Sequence, residues 1–161
     1  MPYCSFHVPL EAKALPIIRK FARRQMIRQH FDSQWHPDLT TDTLVGDLDH
    51  ALRLDIEDAL EAARIPFDRF RTPMVEWGDV TYDRRVFRPR PDDDHPLWDF
   101  SIPVTAHNEP VLLISQWDQI AKQGAATLAD VEKFLGLSVP SVGEWWHSHR
   151  VPIRRIDASP D

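Results

Sequence analysis

Fourteen prolines against five glycines set the first limit on how this chain of 161 residues folds. A proline ring holds φ at about −65° and removes an N–H donor, so each one starts a helix, ends one, or sits in a loop or at a sheet edge. Pro16 and Pro140 stand where the first turn of a helix tolerates them, and Pro66 closes an apolar periodic stretch. The run Arg88-Pro89-Arg90-Pro91-Asp92-Asp93-Asp94-His95-Pro96 is too rich in proline and like charge to pair in a sheet and reads as an exposed loop. Between these stops the chain is ordinary: 42% hydrophobic and 27% charged residues exclude wholesale disorder and fibrous repeats.

The pattern between the stops predicts an α+β fold. A first helix runs from about 16 to 31 on the apolar stripe Ile17, Ile18, Phe21, Ala22 and Met26. Residues 31–41, with Trp35, His36 and Pro37, read as a loop, and a second helix from about 42 to 64 follows the four-residue spacing of Leu44, Leu48, Leu52, Ile56 and Leu60. Between about 73 and 115 the period falls towards two, which predicts a small antiparallel sheet of about three to four strands, including Leu97 to Thr105 and Pro110 to Ser115. A helical unit closes the chain, giving an expected division into an α+β part, 1–115, and a helical part, 116–161. No stretch is long and apolar enough for a membrane span, and the first twenty residues lack a signal peptide's apolar region, so a cytoplasmic location is expected.

Charge is segregated along the chain. Residues 1–31 sum to +5 and residues 32–70 to −7, within a net charge of −6. Two helices lying antiparallel would neutralise each other through surface ion pairs, and the same segregation would also serve an interface. Lys20, Arg24 and Arg28 on the basic side, and Asp47, Glu57 and Glu61 on the acidic side, are the residues that such an interface would use.

The most patterned segment is 116–156. Gln116 to Gln123 predicts a short helix ended by Gly124, with Trp117 and Ile120 buried. Thr127 caps a second helix, Leu128 to Leu135, which Gly136 ends; Ser138 then caps a third, Val139 to His149. Leu128, Val131 and Leu135 share one face of the second, and Val142 and Trp145 face back from the third. Two short helices joined by a tight Gly-containing turn describe a helix-turn-helix.

Leu135-Gly136-Leu137-Ser138-Val139-Pro140-Ser141-Val142-Gly143-Glu144-Trp145, followed by Arg150-Val151-Pro152, resembles the helix-turn-helix of the Cro and phage-repressor family, over about thirty residues. Glu132 departs from the small residue usual at the family's helix crossing. The resemblance implies that the second helix of the pair enters the major groove of duplex DNA. Ser138, Val139, Ser141 and Glu144 would then lie over base edges, and Lys133, Arg150, Arg154 and Arg155 near phosphates. None of the four groove-facing residues is Arg, Lys, Asn or Gln, the types that read purines with two hydrogen bonds.

Chemical motifs are sparse. His147 and His149 are two apart on a helix and point away from each other, and Asp92 to His95 lacks the spaced oxygens of a calcium loop. Cys4 and His7 form no nucleophile and base that a third group orients, no phosphate-loop motif is present, and with five glycines a close backbone approach to a phosphate is hard to arrange. No cofactor, no metal and no catalytic activity are expected. The six tryptophans are spread over every element, as core residues would be, but Trp145 and Trp146 are adjacent on one helix, which makes Trp146 an interface anchor if nothing covers it. The function expected first is a non-enzymatic regulator that binds duplex DNA through the C-terminal unit, with a homodimer as one option; the alternative is an acidic protein-binding module of the inhibitor, immunity or anti-defence kind that uses the helix-turn-helix shape only for packing or partner binding.

Overall fold

The structure, a computed structural model, describes residues 3–14, 16, 18–20, 35–74, 78, 81–90, 92–124, 127–136 and 138–149. Its centre is a six-stranded sheet. In chain order the strands are β1 (Tyr3–Pro9), β2 (Trp35–Asp38), β3 (Thr43–Asp49), β4 (Phe67–Arg71), β5 (Tyr82–Arg88) and β6 (Trp98–Val104). In space they run β2-β3-β1-β4-β5-β6, every neighbouring pair antiparallel. The helices are α1 (Arg53–Ala62), α2 (Ile114–Lys122), α3 (Leu128–Phe134) and α4 (Val142–His149), with short 3-10 turns at Leu10–Ala14 and His50–Leu52.

This overturns the expectation of two N-terminal helices ahead of a sheet of three or four strands, although the broader α+β class stands. The expected helix over 42–64 is two elements, β3 and α1. Alternate residues Leu44, Gly46 and Leu48 of β3 face one way, opposite Val8, Phe6 and Cys4 of β1. Four residues are two strand repeats and also about one helical turn, so the leucine spacing alone could not separate the two structures. Thr43 and Val45, β-branched, and Gly46, a weak helix former, favour the strand. Of the expected first helix only Pro16, Ile18, Arg19 and Lys20 are described, and these are helical; the rest lies outside the described residues.

β1 carries a period-two pattern, with Cys4, Phe6 and Val8 fully buried between half-buried Ser5 and His7. β2, read from sequence as loop, tolerates Pro37 because it is an edge strand. Pro110 forms a single bridge to Val104, and the chain then enters α2 at Ile114, so no strand forms over 110–115.

One sheet face, here the front, packs under α1. Cys4, Phe6, Val8, Leu44, Leu48 and Phe67 meet Ile56 and Leu60, and the ring of Phe6 lies 6.0 Å from Phe67, which stacks on Phe87 at 5.3 Å. Gly46 is required here because Trp35 from β2 lies over it, where a Cβ would collide with the indole. Farther along the same face the apolar floor gives way to charge. Glu57 of α1, 3% exposed, meets Arg69 (2.8 Å) and Arg85 (2.9 Å). Arg69 also bonds Asp83 at 2.9 Å, Arg71 bonds Asp83, and Arg85 reaches Glu61 (2.6 Å) and Asp99 (2.9 Å). The back face carries α4 and the turn that precedes it. Among the described residues no helix is long and apolar enough to cross a membrane.

Candidate functional site

The segment with the recognisable pattern folds as two short helices with Gly136 between them. Thr127 and Asp130 cap α3 reciprocally: the Asp130 N–H donates to Thr127 Oγ1 (3.2 Å), and the Thr127 N–H donates to the Asp130 carboxylate (3.1 Å). Gly136 ends it at φ 70°, and a Cβ there would sit 2.6 Å from the Phe100 ring, so glycine is needed twice over. α4 starts later than the sequence suggests. Ser141, not Ser138, caps it: the Glu144 N–H donates to Ser141 Oγ (3.3 Å), and the Ser141 N–H donates to Glu144 Oε2 (3.1 Å).

α4 turns its apolar side onto the back of the sheet and packs against β1. Val142, Gly143, Trp145 and Trp146 are buried. Trp145 meets Trp98 of β6 edge to face at 5.3 Å, and the His149 ring stacks on Trp145 at 3.4 Å. The Trp146 indole N–H donates to Glu11 at 2.7 Å, His147 pairs with Asp42, and Gly143 lies so close to the Thr41 carbonyl that a Cβ would approach to 2.5 Å. Arg88, 1% exposed, fastens the unit from the sheet side. Its guanidinium donates to the carbonyls of Phe67 (3.0 Å), Phe87 (2.9 Å) and Pro140 (3.0 Å) and pairs with Asp68 (2.9 Å).

The sequence-derived groove candidates are therefore divided. Ser138, Ser141 and Glu144 are exposed and Val139 is half-buried, but Ser141 and Glu144 spend their polar groups on each other. Lys133 is exposed on α3; Arg150, Arg154 and Arg155 lie outside the described residues. Trp146 is covered and bonded within the chain, which removes it as an anchor. Of the charged candidates, Lys20 and Asp47 are exposed and Arg24 and Arg28 lie outside the described residues. Glu57 and Glu61 face the sheet and pair with Arg69 and Arg85 of β4 and β5, not with the basic N-terminal segment.

The exposed surface lies instead on α2 and at the start of α3. Trp117, expected to be buried, is 53% exposed, beside Leu113 at 48% and Ile114 at 85%. Leu128, expected on an inward face, is 74% exposed; Ile120 and Leu135 are the residues that pack inward. Leu113 and Trp117 are one turn apart and Ile114 is three before Trp117, so the three share a side of the helix. Sequence held a usable signal: Val111-Leu112-Leu113-Ile114 is a run of four apolar residues that leads into α2 and ends on its first residue, with no polar residue among them to mark an outward side.

Among the described residues, the reactive groups singled out from the sequence are kept apart. Cys4 and His7 are three apart on β1 and so point to opposite faces. Burial pushes the Cys4 thiol up to about 12, where it stays protonated and inert. Burial also holds His7 below the ordinary histidine value, against the pull of Asp68, Asp38 and Asp47. In the acidic loop, Asp93 accepts the His95 N–H at 2.9 Å, which lowers its pKa, and Asp94 pairs with Arg64 at 2.6 Å. Among the described residues no group of three or more His, Cys, Asp or Glu is placed to hold a metal ion. No protein-family model matches the chain, and no curated protein or solved structure matches it either.

Proposed function

We propose that this chain is a non-enzymatic protein-binding module in which the helix-turn-helix-like pair is a packing element. The Leu113, Ile114 and Trp117 side of α2 is its contact surface. The observation that carries this reading is the exposure of Ile114 and Trp117, 85% and 53%, on a helix whose inward residue, Ile120, is already buried. An indole with an aliphatic neighbour is the composition of an interface anchor. Asp118 beside them is exposed and the chain is acidic overall, at −6, so the complementary partner is a protein with an apolar pocket in a basic surround.

The regulator reading gains less support. α4 gives its apolar side to the sheet, and its outward side offers Glu144, Ser148 and two histidines already engaged with Asp42 and Trp145. An acid over a groove lined with phosphates is unfavourable, and α4 carries no Arg, Lys, Asn or Gln to read purines.

Two titrations separate the readings. The full chain is passed over immobilised protein fractions from its native host and, in parallel, titrated into a random duplex at low salt. Retention of a specific protein that Ile114→Asp and Trp117→Asp abolish, at unchanged circular dichroism, is the expected result. Duplex binding that falls steeply with salt and is lost on Lys133→Glu would overturn it.

A further inference from the structure

We infer that the outer edge of β6 is a self-association site, at which two copies of this chain join antiparallel through residues 98–102 to make one continuous sheet. The inference stands independently of the protein-partner reading.

The two edges of the sheet are built differently. β2, at one end, has four residues with a proline among them, a form that resists strand addition. β6, at the other, has seven residues. The Val111 N–H donates to the outward Pro103 carbonyl at 2.9 Å, which fixes the parity of the strand: the N–H and C=O groups of Asp99 and Ser101 also point outward, away from β5. Among the described residues nothing pairs with these four groups. The usual edge defence is a charged side chain, and β6 has one, Asp99. That carboxylate is turned onto Arg85, whose Nε and Nη2 each donate to it at 2.9 Å, so its charge is neutralised on the front face.

The open window has a centre. It starts where β6 starts, at Trp98, and stops before Pro103, where the chain's own Val111 already fills the outer lane. Five residues remain, symmetric about Phe100, and a two-fold axis at Phe100 uses all of them. Asp99 then pairs with Ser101 of the second copy, and Ser101 with its Asp99, forming four backbone hydrogen bonds and placing a hydroxyl beside each carboxylate. Phe100 faces its own counterpart, and Trp98 faces Ile102. Aromatic with aromatic, aromatic with β-branched and hydroxyl with acid are favourable cross-strand pairs, and no like charges oppose. An isologous contact of this kind closes at two copies and leaves no further edge of the same type.

Sedimentation equilibrium of the full chain, over a wide concentration range, tests this with three variants at one exposed position. The wild type is expected to show a reversible monomer–dimer equilibrium. Ser101→Pro removes an N–H that makes no bond within the protomer and should give a monomer. Ser101→Asp sets an acid opposite Asp99 twice and should weaken dimerisation about tenfold; Ser101→Lys should tighten it. Unchanged far-UV circular dichroism in the Asp and Lys variants keeps the result readable if the proline variant misfolds. A wild type that is monomeric throughout, or a dimer indifferent to the Asp and Lys changes, overturns the inference.

Discussion

The sheet has two halves that solve burial in opposite ways. In β2, β3 and β1 the front face is apolar, and the titratable groups of β1, Cys4 on that face and the half-buried His7 on the other, are held neutral: the thiol pKa is raised and the imidazole pKa is lowered, in both cases mainly by burial. In β4, β5 and β6 the inward positions of this face are largely charged, and Arg69, 3% exposed, lies between the carboxylates of Glu57 and Asp83. Burial also pulls Arg85 down, but Asp99 and Glu61 outweigh it and hold it above its ordinary value. One helix serves both halves, since α1 gives Ile56 and Leu60 to the first and Glu57 and Glu61 to the second. An apolar surface accepts many partners of similar volume, whereas a guanidinium with fixed acceptors accepts one register. The charged half thus restricts how α1 seats, and the apolar half supplies the burial that makes seating favourable.

This contrast is open to test, starting with the largest effects. Glu57→Ala leaves Arg69 and Arg85 short of a carboxylate in a dry site and should cost about 3–5 kcal/mol in urea unfolding. Phe6→Ala should cost a similar amount, about 3–5 kcal/mol, through lost burial and a cavity. The two differ in a second measurement: combining Glu57→Ala with Arg69→Met should recover much of the loss, while no second truncation near Phe6 should help. A loss below about 1 kcal/mol for Glu57→Ala would mean that the charged half behaves as solvated surface. Next in size, Gly143→Ala forces a methyl against the Thr41 carbonyl and should destabilise by about 1–3 kcal/mol, without touching either half of the front face.

The smaller effects probe the neutral half. Because the folded pKa of His7 lies below its unfolded value near 6.5, the folded state binds fewer protons as pH falls through that region. The associated stability is present above about pH 6.5 and is lost as pH falls towards the folded pKa, with a slope of at most about 1.4 kcal/mol per pH unit. Unfolding curves at stepped pH should show this loss in the wild type and not in His7→Gln. Cys4 should resist a thiol reagent at neutral pH until the chain is denatured, and then react fully; ready labelling of the folded protein would break the picture of a closed apolar half.

Sequence reasoning worked where one period or one cap dominated. The expected 97–105 strand corresponds to β6, and Gln116–Gln123, Leu128–Leu135 and the stretch to His149 correspond to α2, α3 and α4 within a few residues. It failed where two periods share a multiple, as with Leu44 and Leu48, and where inward residues are polar. β4 places Arg69 and Arg71 inward and β5 places Asp83 and Arg85 inward, so no binary pattern marks them. β1 did carry a clean alternation, Cys4, Phe6 and Val8, which a position near the chain end disguised. At the candidate surface, adjacency correctly singled out Trp145 and Trp146 as a pair that cannot share a side, but both found cover because β1 and Glu11 approach from outside the local segment. The exposed Trp117 was hidden by the assumption that an indole on a helix packs inward.

Arg88 carries a consequence for how the molecule comes apart. Its guanidinium is held by Phe67 and Phe87 in the sheet and by Pro140 just ahead of α4. Peeling α4 away would expose Trp145 and Trp98 and strip an acceptor from a cation, so partial opening of that end is costly. Amide protons of α4 and of β4 and β5 should therefore exchange with solvent at one common rate, as a single cooperative unit, while α3, which has no buried residue, exchanges faster.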